Sequence, residues 1–218
     1  LGNLFGFGNI NLGILNIPIT IFCVVGIMNA FNMMDGINGL CSGCAMIALI
    51  LIGFYSGLIY DSMLVLIVGS MIGFILFNLG LFGKKRGVFL GDSGSNLVGF
   101  WVAWIAIYAS QSQIYSVEPI TMLWFVAIPF LDCVGLIFSR ISKGKSLSTA
   151  GRDHIHHKLM EKYSSKGTLY FILTVTFLTG ILGILVETFF TSYISTALFL
   201  IYAFIYYLLT GVLWKKFL

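Results

Sequence analysis

The chain has 218 residues, 59% of them hydrophobic and 9% charged, with a formal net charge of +4 and a mean hydropathy of +1.01. A soluble domain carries about 25% charged residues. A chain this poor in charge cannot cover a water-facing surface, so its composition excludes an ordinary soluble protein and points to a bilayer.

A membrane span needs ~20 mostly apolar residues, because the hydrocarbon core is about 30 Å thick and a helix rises about 1.5 Å per residue. Seven such stretches run along the chain, at about 12–30, 39–59, 62–82, 95–110, 120–139, 168–187 and 192–213. The fourth is short for a span and is read as tilted, broken or extended into its loops. The expected fold class is all-α, a polytopic transmembrane helical bundle in one domain over 1–218. Residues 1–11 are rich in Gly and Asn, as a loop is. The first residue is Leu1, not Met, and the sequence is read as the C-terminal portion of a longer chain. No basic residue precedes the first apolar run, so no cleavable signal is expected.

The first polar constellation closes the first span. It reads Asn29-Ala30-Phe31-Asn32-Met33-Met34-Asp35-Gly36-Ile37-Asn38-Gly39-Leu40. Asn29, Asn32 and Asp35 are spaced by three, so on a helix they share a face. Gly36 and Gly39 suit a helix break and the close approach of a ligand. A helix end followed by a turn explains the same residues. Cys41 and Cys44 then form a C-x-x-C at the head of an apolar run. A redox or zinc role wants other surroundings, and both are read as small packing residues.

The second constellation is Phe89-Leu90-Gly91-Asp92-Ser93-Gly94-Ser95, just before a span. Backbone N–H groups at a helix start can hold phosphate. Asp92 suits a hard cation such as Mg²⁺, which takes few carboxylates and shares its shell with substrate phosphates. The competing reading is that Asp92 or Ser93 only caps the helix that follows. Lys84, Lys85 and Arg86 just upstream either attract an anionic substrate or anchor the helix end to lipid headgroups.

Asp132 lies in the apolar run Ile128-Pro129-Phe130-Leu131-Asp132, and a carboxylate inside a membrane segment is a functional candidate by default. A kink at Pro129 would turn it toward a polar cavity; otherwise it pairs with Arg140 or a backbone donor. Residues 140–167 form the one long polar loop, with all three histidines and seven of the twelve basic residues. Within it, Arg152-Asp153-His154-Ile155-His156-His157-Lys158 is dense in groups that bind anions or metals. The flanking Arg152 and Lys158 favour phosphate over a bare cation.

All twelve Lys and Arg fall in three segments that seven spans place on one side: 84–86, 140–166 and 215–216. The opposite loops carry Asp61, Glu118 and Glu187 and no base. Lys and Arg gather on the cytoplasmic side, so residues 31–38, 83–94, 140–167 and the C-terminus are expected to face the cytoplasm. All the polar motifs then share one face. A transporter would instead place them near the bilayer midplane.

NAFNMMDGINGL (29–40), VFLGDSGS (88–95), IPFLD (128–132), RDHIHH (152–157) and FNLG (77–80) resemble the polyprenyl-phosphate N-acetylhexosamine-1-phosphate transferase family, over essentially the whole chain. The HIHH form is similar to the N-acetylglucosamine branch; the phospho-MurNAc-pentapeptide branch carries an HHH form and is the alternative. The resemblance implies transfer of a sugar-1-phosphate from a UDP-sugar to undecaprenyl phosphate with release of UMP, in a bacterial inner membrane, as a step in cell-envelope polysaccharide synthesis. It implies Mg²⁺, or Mn²⁺ in its place, with Asp92 and Asp35 as metal-binding and catalytic carboxylates. By the same resemblance Phe89 stacks on uracil, Asn78 contacts the nucleotide, Asn29, Asn32 and Asn38 line the cavity, and Arg152, His154, His156 and His157 contact phosphates or sugar. The implied partners are the UDP-sugar, the polyprenyl phosphate and the bilayer, with no nucleic acid; nothing in the sequence assigns an oligomeric state. Asn38 stands where the family usually has an Asp, which leaves an inactive homologue as a further alternative. The family also carries an Asp-Asp motif upstream of this sequence, so the 218 residues alone are expected to be inactive.

Overall fold

The structure is a computed structural model and describes residues 8, 12–83, 87–112, 115, 117–142, 144 and 154–215. Among them every regular element is helical: α1 Asn16–Met33, α2 Leu40–Ser56, α3 Ser62–Asn78, α4 Gly91–Gln111, α5 Pro119–Phe125, α6 Ala127–Ser142, α7 Ile155–Met160, α8 Ser165–Phe189 and α9 Ser192–Lys215. Each of the seven expected apolar stretches holds a helix, and the fifth holds two.

Among the described residues, three helices are long and apolar enough to cross a membrane: Gly13–Met33, Ser165–Phe189 and Ser192–Gly211. The α5–α6 pair makes a fourth if counted as one span bent by 84°. The apolar helices α2 and α3 are 17 residues each, and α4 does not meet the same measure despite its 21 residues.

The bend sits at Val126, not at Pro129, where the kink was expected. The cause is still Pro129. It has no N–H to give the carbonyl four residues back, and its ring crowds that carbonyl. That carbonyl belongs to Phe125, the last residue of α5. The chain breaks there, and Pro129 falls in the first turn of α6, where a missing N–H is harmless.

The core lies where α1, α2, α4, α5 and α8 meet, around Phe31, Leu40, Leu49, Ile52, Val102 and Phe125, all fully buried. The outer faces are apolar too: Ile17, Phe22, Leu66 and Phe204 are all more than half exposed. Such surfaces are costly in water and ordinary against lipid. Close helix contacts use small residues, as in membrane bundles. A side chain at Gly99 on α4 would begin 2.8 Å from the Met28 backbone of α1. One at Gly183 on α8 would run into the ring of Trp124. Trp124 in turn donates its indole N–H to Ser195 Oγ at 3.2 Å, and Thr179 and Tyr202 share a bond at 2.9 Å. These polar contacts tie α5, α8 and α9 together without water. Cys41 and Cys44 are buried free thiols inside α2, as their reading as packing residues requires.

Candidate active site

Four segments meet at one end of the bundle: the turn between α1 and α2, the segment 87–90 with the first turn of α4, the second turn of α6, and α7. Local sequence sets each. α1 ends at Met33 because Met34, Asp35 and Gly36 close short-range turns: the Asp35 N–H reaches the Asn32 carbonyl at 3.2 Å and the Gly36 N–H the Met34 carbonyl at 2.9 Å. Gly39, at φ +83°, then starts α2. Only glycine adopts that conformation freely.

Asn78 locks the two loops together. It is buried, and its side-chain oxygen accepts the Gly39 N–H at 2.6 Å while its Nδ2 donates to the Val88 carbonyl at 2.7 Å. Both ends of this amide, expected at the nucleotide, are thus engaged by backbone. Asn32 makes a second tie, donating from Nδ2 to Ser95 Oγ at 2.9 Å and, more weakly, to Asp92 Oδ1 at 3.4 Å. The spacing of Asn29, Asn32 and Asp35 survives the end of α1, since the turn continues it. Asn29 and Asn38 are exposed.

Asp92 is not a helix cap. The N-cap of α4 is Leu90, with no side-chain hydrogen bond, and Asp92 lies in the first turn. There the helix dipole favours a negative charge. Asp92 and Asp35 are both exposed. The Asp35 carboxyl is pushed above its ordinary range, first by partial burial and then by the charge of Asp92. Two carboxylates that repel one another are relieved by a cation they share. Among the described residues no group of three His, Cys, Asp or Glu could enclose a metal. That is a poor zinc site, but it fits Mg²⁺, which keeps most of its shell for water and phosphate. Phe89, 80% exposed just ahead of α4, offers an open aromatic face three residues before Asp92.

The three histidines ride on α7. His154 is its N-cap residue and His156 and His157 lie within it. The rings stand close: His154 and His156 are stacked with centroids 5.5 Å apart, and His156 and His157 are 4.2 Å apart. His156 is 1% exposed, and among the described residues neither of its ring nitrogens has a hydrogen-bond partner. Burial first, and its two histidine neighbours next, push its pKa down to about 4, so it is neutral near pH 7. Its ring lies against Gly36. A Cβ there would sit 2.7 Å from Cδ2 and closer still to Nε2. The close approach expected of a ligand at Gly36 is made by this ring instead. Arg152 lies outside the described residues.

Asp132 reaches the same end, 3% exposed. Its Oδ1 accepts the Ile155 backbone N–H and its Oδ2 faces His154 Nδ1, each at 3.0 Å. Its carboxylate thus meets a backbone donor and a histidine, both brought to it by α7. Sequence spacing missed three contacts of the site: Ser95 with Asn32, Gly36 with His156, and Asp132 with α7. A glycine next to an acidic residue, and an aspartate inside an apolar run, were the only signals that marked the last two.

Comparison with known proteins places the chain in a family. Residues 1–110 match Glycosyl transferase family 4, a span that contains both Asp35 and Asp92. A protein of Yersinia pestis named "Undecaprenyl-phosphate alpha-N-acetylglucosaminyl 1-phosphate transferase" is 36% identical over 217 residues, covering 95% of this chain and 58% of its own length. Proteins of the same name from Escherichia coli K12 and Haemophilus influenzae are 34% and 33% identical, over 94% and 88% of this chain and 58% and 56% of theirs. The chain therefore spans less than three-fifths of the length of these relatives.

Proposed function

The chain belongs to Glycosyl transferase family 4, and from that premise we propose that its full-length protein transfers N-acetylglucosamine-1-phosphate from UDP-N-acetylglucosamine to undecaprenyl phosphate. The lipid phosphate oxygen attacks the β-phosphorus of the UDP-sugar. The bond from that phosphorus to the bridging oxygen breaks, and UMP leaves with that oxygen. The product is a lipid-pyrophosphoryl sugar. The names of the relatives support the donor sugar and the lipid.

One observation carries the reading. Two carboxylates and a histidine cluster, drawn from positions 35, 92 and 154–157, converge at one end of the bundle through Asn32–Asp92 and His156–Gly36 contacts. Phosphoryl transfer asks the protein mainly for positioning and charge, and this end supplies both. In our reading Asp35 and Asp92 hold Mg²⁺, or Mn²⁺ in its place, which when bound would neutralise the pyrophosphate. Asn32 keeps Asp92 oriented, Phe89 stacks on the uracil, and His154, His156 and His157 meet the phosphates and sugar together with Arg152. Asn78 serves by holding the Asp35 turn against the Phe89 segment.

We also read α1 to α4, the α5–α6 pair, α8 and α9 as seven passes through a bacterial inner membrane. Arg140, Lys158, Lys162 and Lys166 lie toward the site end, and Asp61, Glu118 and Glu187 toward the other. This supports a cytoplasmic site by the positive-inside rule. The two helices of 17 residues are long enough for a thin or locally thinned bilayer. The 218 residues by themselves are proposed to be inactive.

The test is UMP release by the full-length protein in detergent, with UDP-N-acetylglucosamine, undecaprenyl phosphate and Mg²⁺. Asp92→Asn is expected to lower it at least ~100-fold, a loss of about 2.7 kcal/mol of transition-state stabilisation. Absence of UMP from the unmodified protein with any UDP-sugar would replace this reading by an inactive homologue, with Asn38→Asp the first reversion to make.

A further inference from the structure

α7 is six residues long, too short to hold a helix by itself in water. Its N-cap residue is His154, which makes no side-chain cap bond. The first N–H of a helix needs an acceptor from somewhere. Here Asp132, from a different helix and 23 residues away, accepts the Ile155 N–H at 3.0 Å. The other oxygen of the same carboxylate lies 3.0 Å from His154 Nδ1. Asp132 and His154 are both buried, so water does not compete for either bond.

An ionised carboxylate can only accept. The proton on His154 must then sit on Nδ1, and Nε2 is the nitrogen left for the site. A second hydrogen bond that fixes which ring nitrogen carries the proton is how proteins orient a working imidazole. Orientation passes further by stacking. The His154 ring lies within 12° of parallel to that of His156, and the His156 ring rests on Gly36, next to Asp35.

We propose that Asp132 is the positioning residue of this site: by holding His154 with Nδ1 protonated and by capping α7, it sets the histidine cluster against the turn that carries Asp35. The role rests on the proposed transferase reading, but its structural half does not. Asp132 touches no reacting atom and acts through His154.

Asp132→Asn separates the two. The asparagine oxygen can still accept the Ile155 N–H, so the cap survives. Its amide nitrogen then faces His154 Nδ1 as a donor, and the proton must move to Nε2. In the full-length protein labelled with ¹⁵N-histidine, with His154 assigned by its loss in His154→Gln, the unmodified protein is expected to show Nδ1 protonated. Asp132→Asn is expected to show the opposite tautomer, with an unchanged gel-filtration profile and helical content. UMP release should fall about 10- to 100-fold in Asp132→Asn, and Asp132→Glu, which keeps the acceptor, should recover most of it. A bare Nδ1 on His154 in the unmodified protein overturns the proposal even if the variant fails to fold. So does a wild-type rate in Asp132→Asn, or a lost rate with the tautomer unchanged. If the unmodified protein releases no UMP, the transferase reading falls, and the tautomer measurement still decides the structural half.

Discussion

The two ends of the helical bundle hold the same kind of residue in opposite conditions. At the end with Asp61, Glu118 and Glu187, Asp61 and Glu187 serve the backbone or the packing. Asp61 caps α3, accepting the N–H groups of Met63 at 2.9 Å and Leu64 at 3.2 Å. Glu187 accepts the Ser192 hydroxyl at 3.1 Å and joins α8 to α9. Glu118 opens α5 ahead of Pro119. At the other end Asp35 and Asp92 cap nothing. Asp35 lies beyond the C-cap of α1, and α4 takes Leu90 as its N-cap. Both are exposed, the charge of Asp92 acts on Asp35, and a neutral imidazole is buried against Gly36 next to Asp35. A carboxylate that completes a helix is explained by the fold. A pair that repels and caps no helix calls for another explanation, which the proposed metal and substrate would supply.

The comparison breaks or holds most visibly at two glycines. Gly57 ends α2 at φ +81°, with open space where a Cβ would point. Gly57→Ala should cost about 1 kcal/mol of stability and leave UMP release unchanged. In Gly36→Ala the new methyl would occupy the place of the His156 ring. Displacing a positioned group by about an ångström can cost ~100-fold in rate, and a loss of that size is expected in the same assay. Equal activity in the two variants would mean that the contact between His156 and the Asp35 turn has no part in the reaction.

The next effect is on stability and comes from His156. The unfolded chain takes a proton on this ring near pH 6.5, while the folded protein resists until about pH 4. Its contribution is therefore complete above pH 6.5 and is lost as pH falls from 6.5 toward 4. The slope in that window is at most ~1.4 kcal/mol per pH unit. His156→Asn has no such proton to take up. Thermal unfolding in detergent at pH 7.5 and pH 5 should show the unmodified protein losing more on acidification than the variant. Parallel losses would mean that the ring is not held neutral in the fold.

The helices could be read along the chain because their apolar runs are long and a bilayer tolerates little else. Boundaries moved for local reasons. The fourth helix begins at Gly91 and not at 95, since Gly91, Asp92 and Ser93 enter its first turn instead of preceding it. The fifth stretch breaks at Val126, just after the carbonyl of Phe125 that Pro129 leaves unpaired. The site was legible in its residue types and much less in its contacts. Asn32 and Asp35 could be placed on one face by their spacing. No spacing rule brings His156 to Gly36, 120 positions apart, or Asp132 to His154, because such contacts are made by packing. Asn78 adds a further contact that no motif announces, its amide bonding the backbone of two loops.

The smallest expected effect draws the sharpest line between the two ends, because one chemical change is made at both. Asp61 works as a cap through an oxygen acceptor, and Asn caps about as well as Asp. Asp61→Asn should therefore be close to neutral, while Asp61→Ala should cost about 1 kcal/mol, read as a lower thermal midpoint with normal UMP release. At Asp92 the same Asp→Asn exchange keeps the shape and removes only the charge, and there the rate is expected to collapse. If Asp61→Asn proved as damaging to activity as Asp92→Asn, the far end would be part of the working site. If neither mattered, the unspent charge at Asp92 would be as structural as that of Asp61. Only a large loss at one end with a negligible one at the other separates a carboxylate that the helix needs from one that the substrate needs.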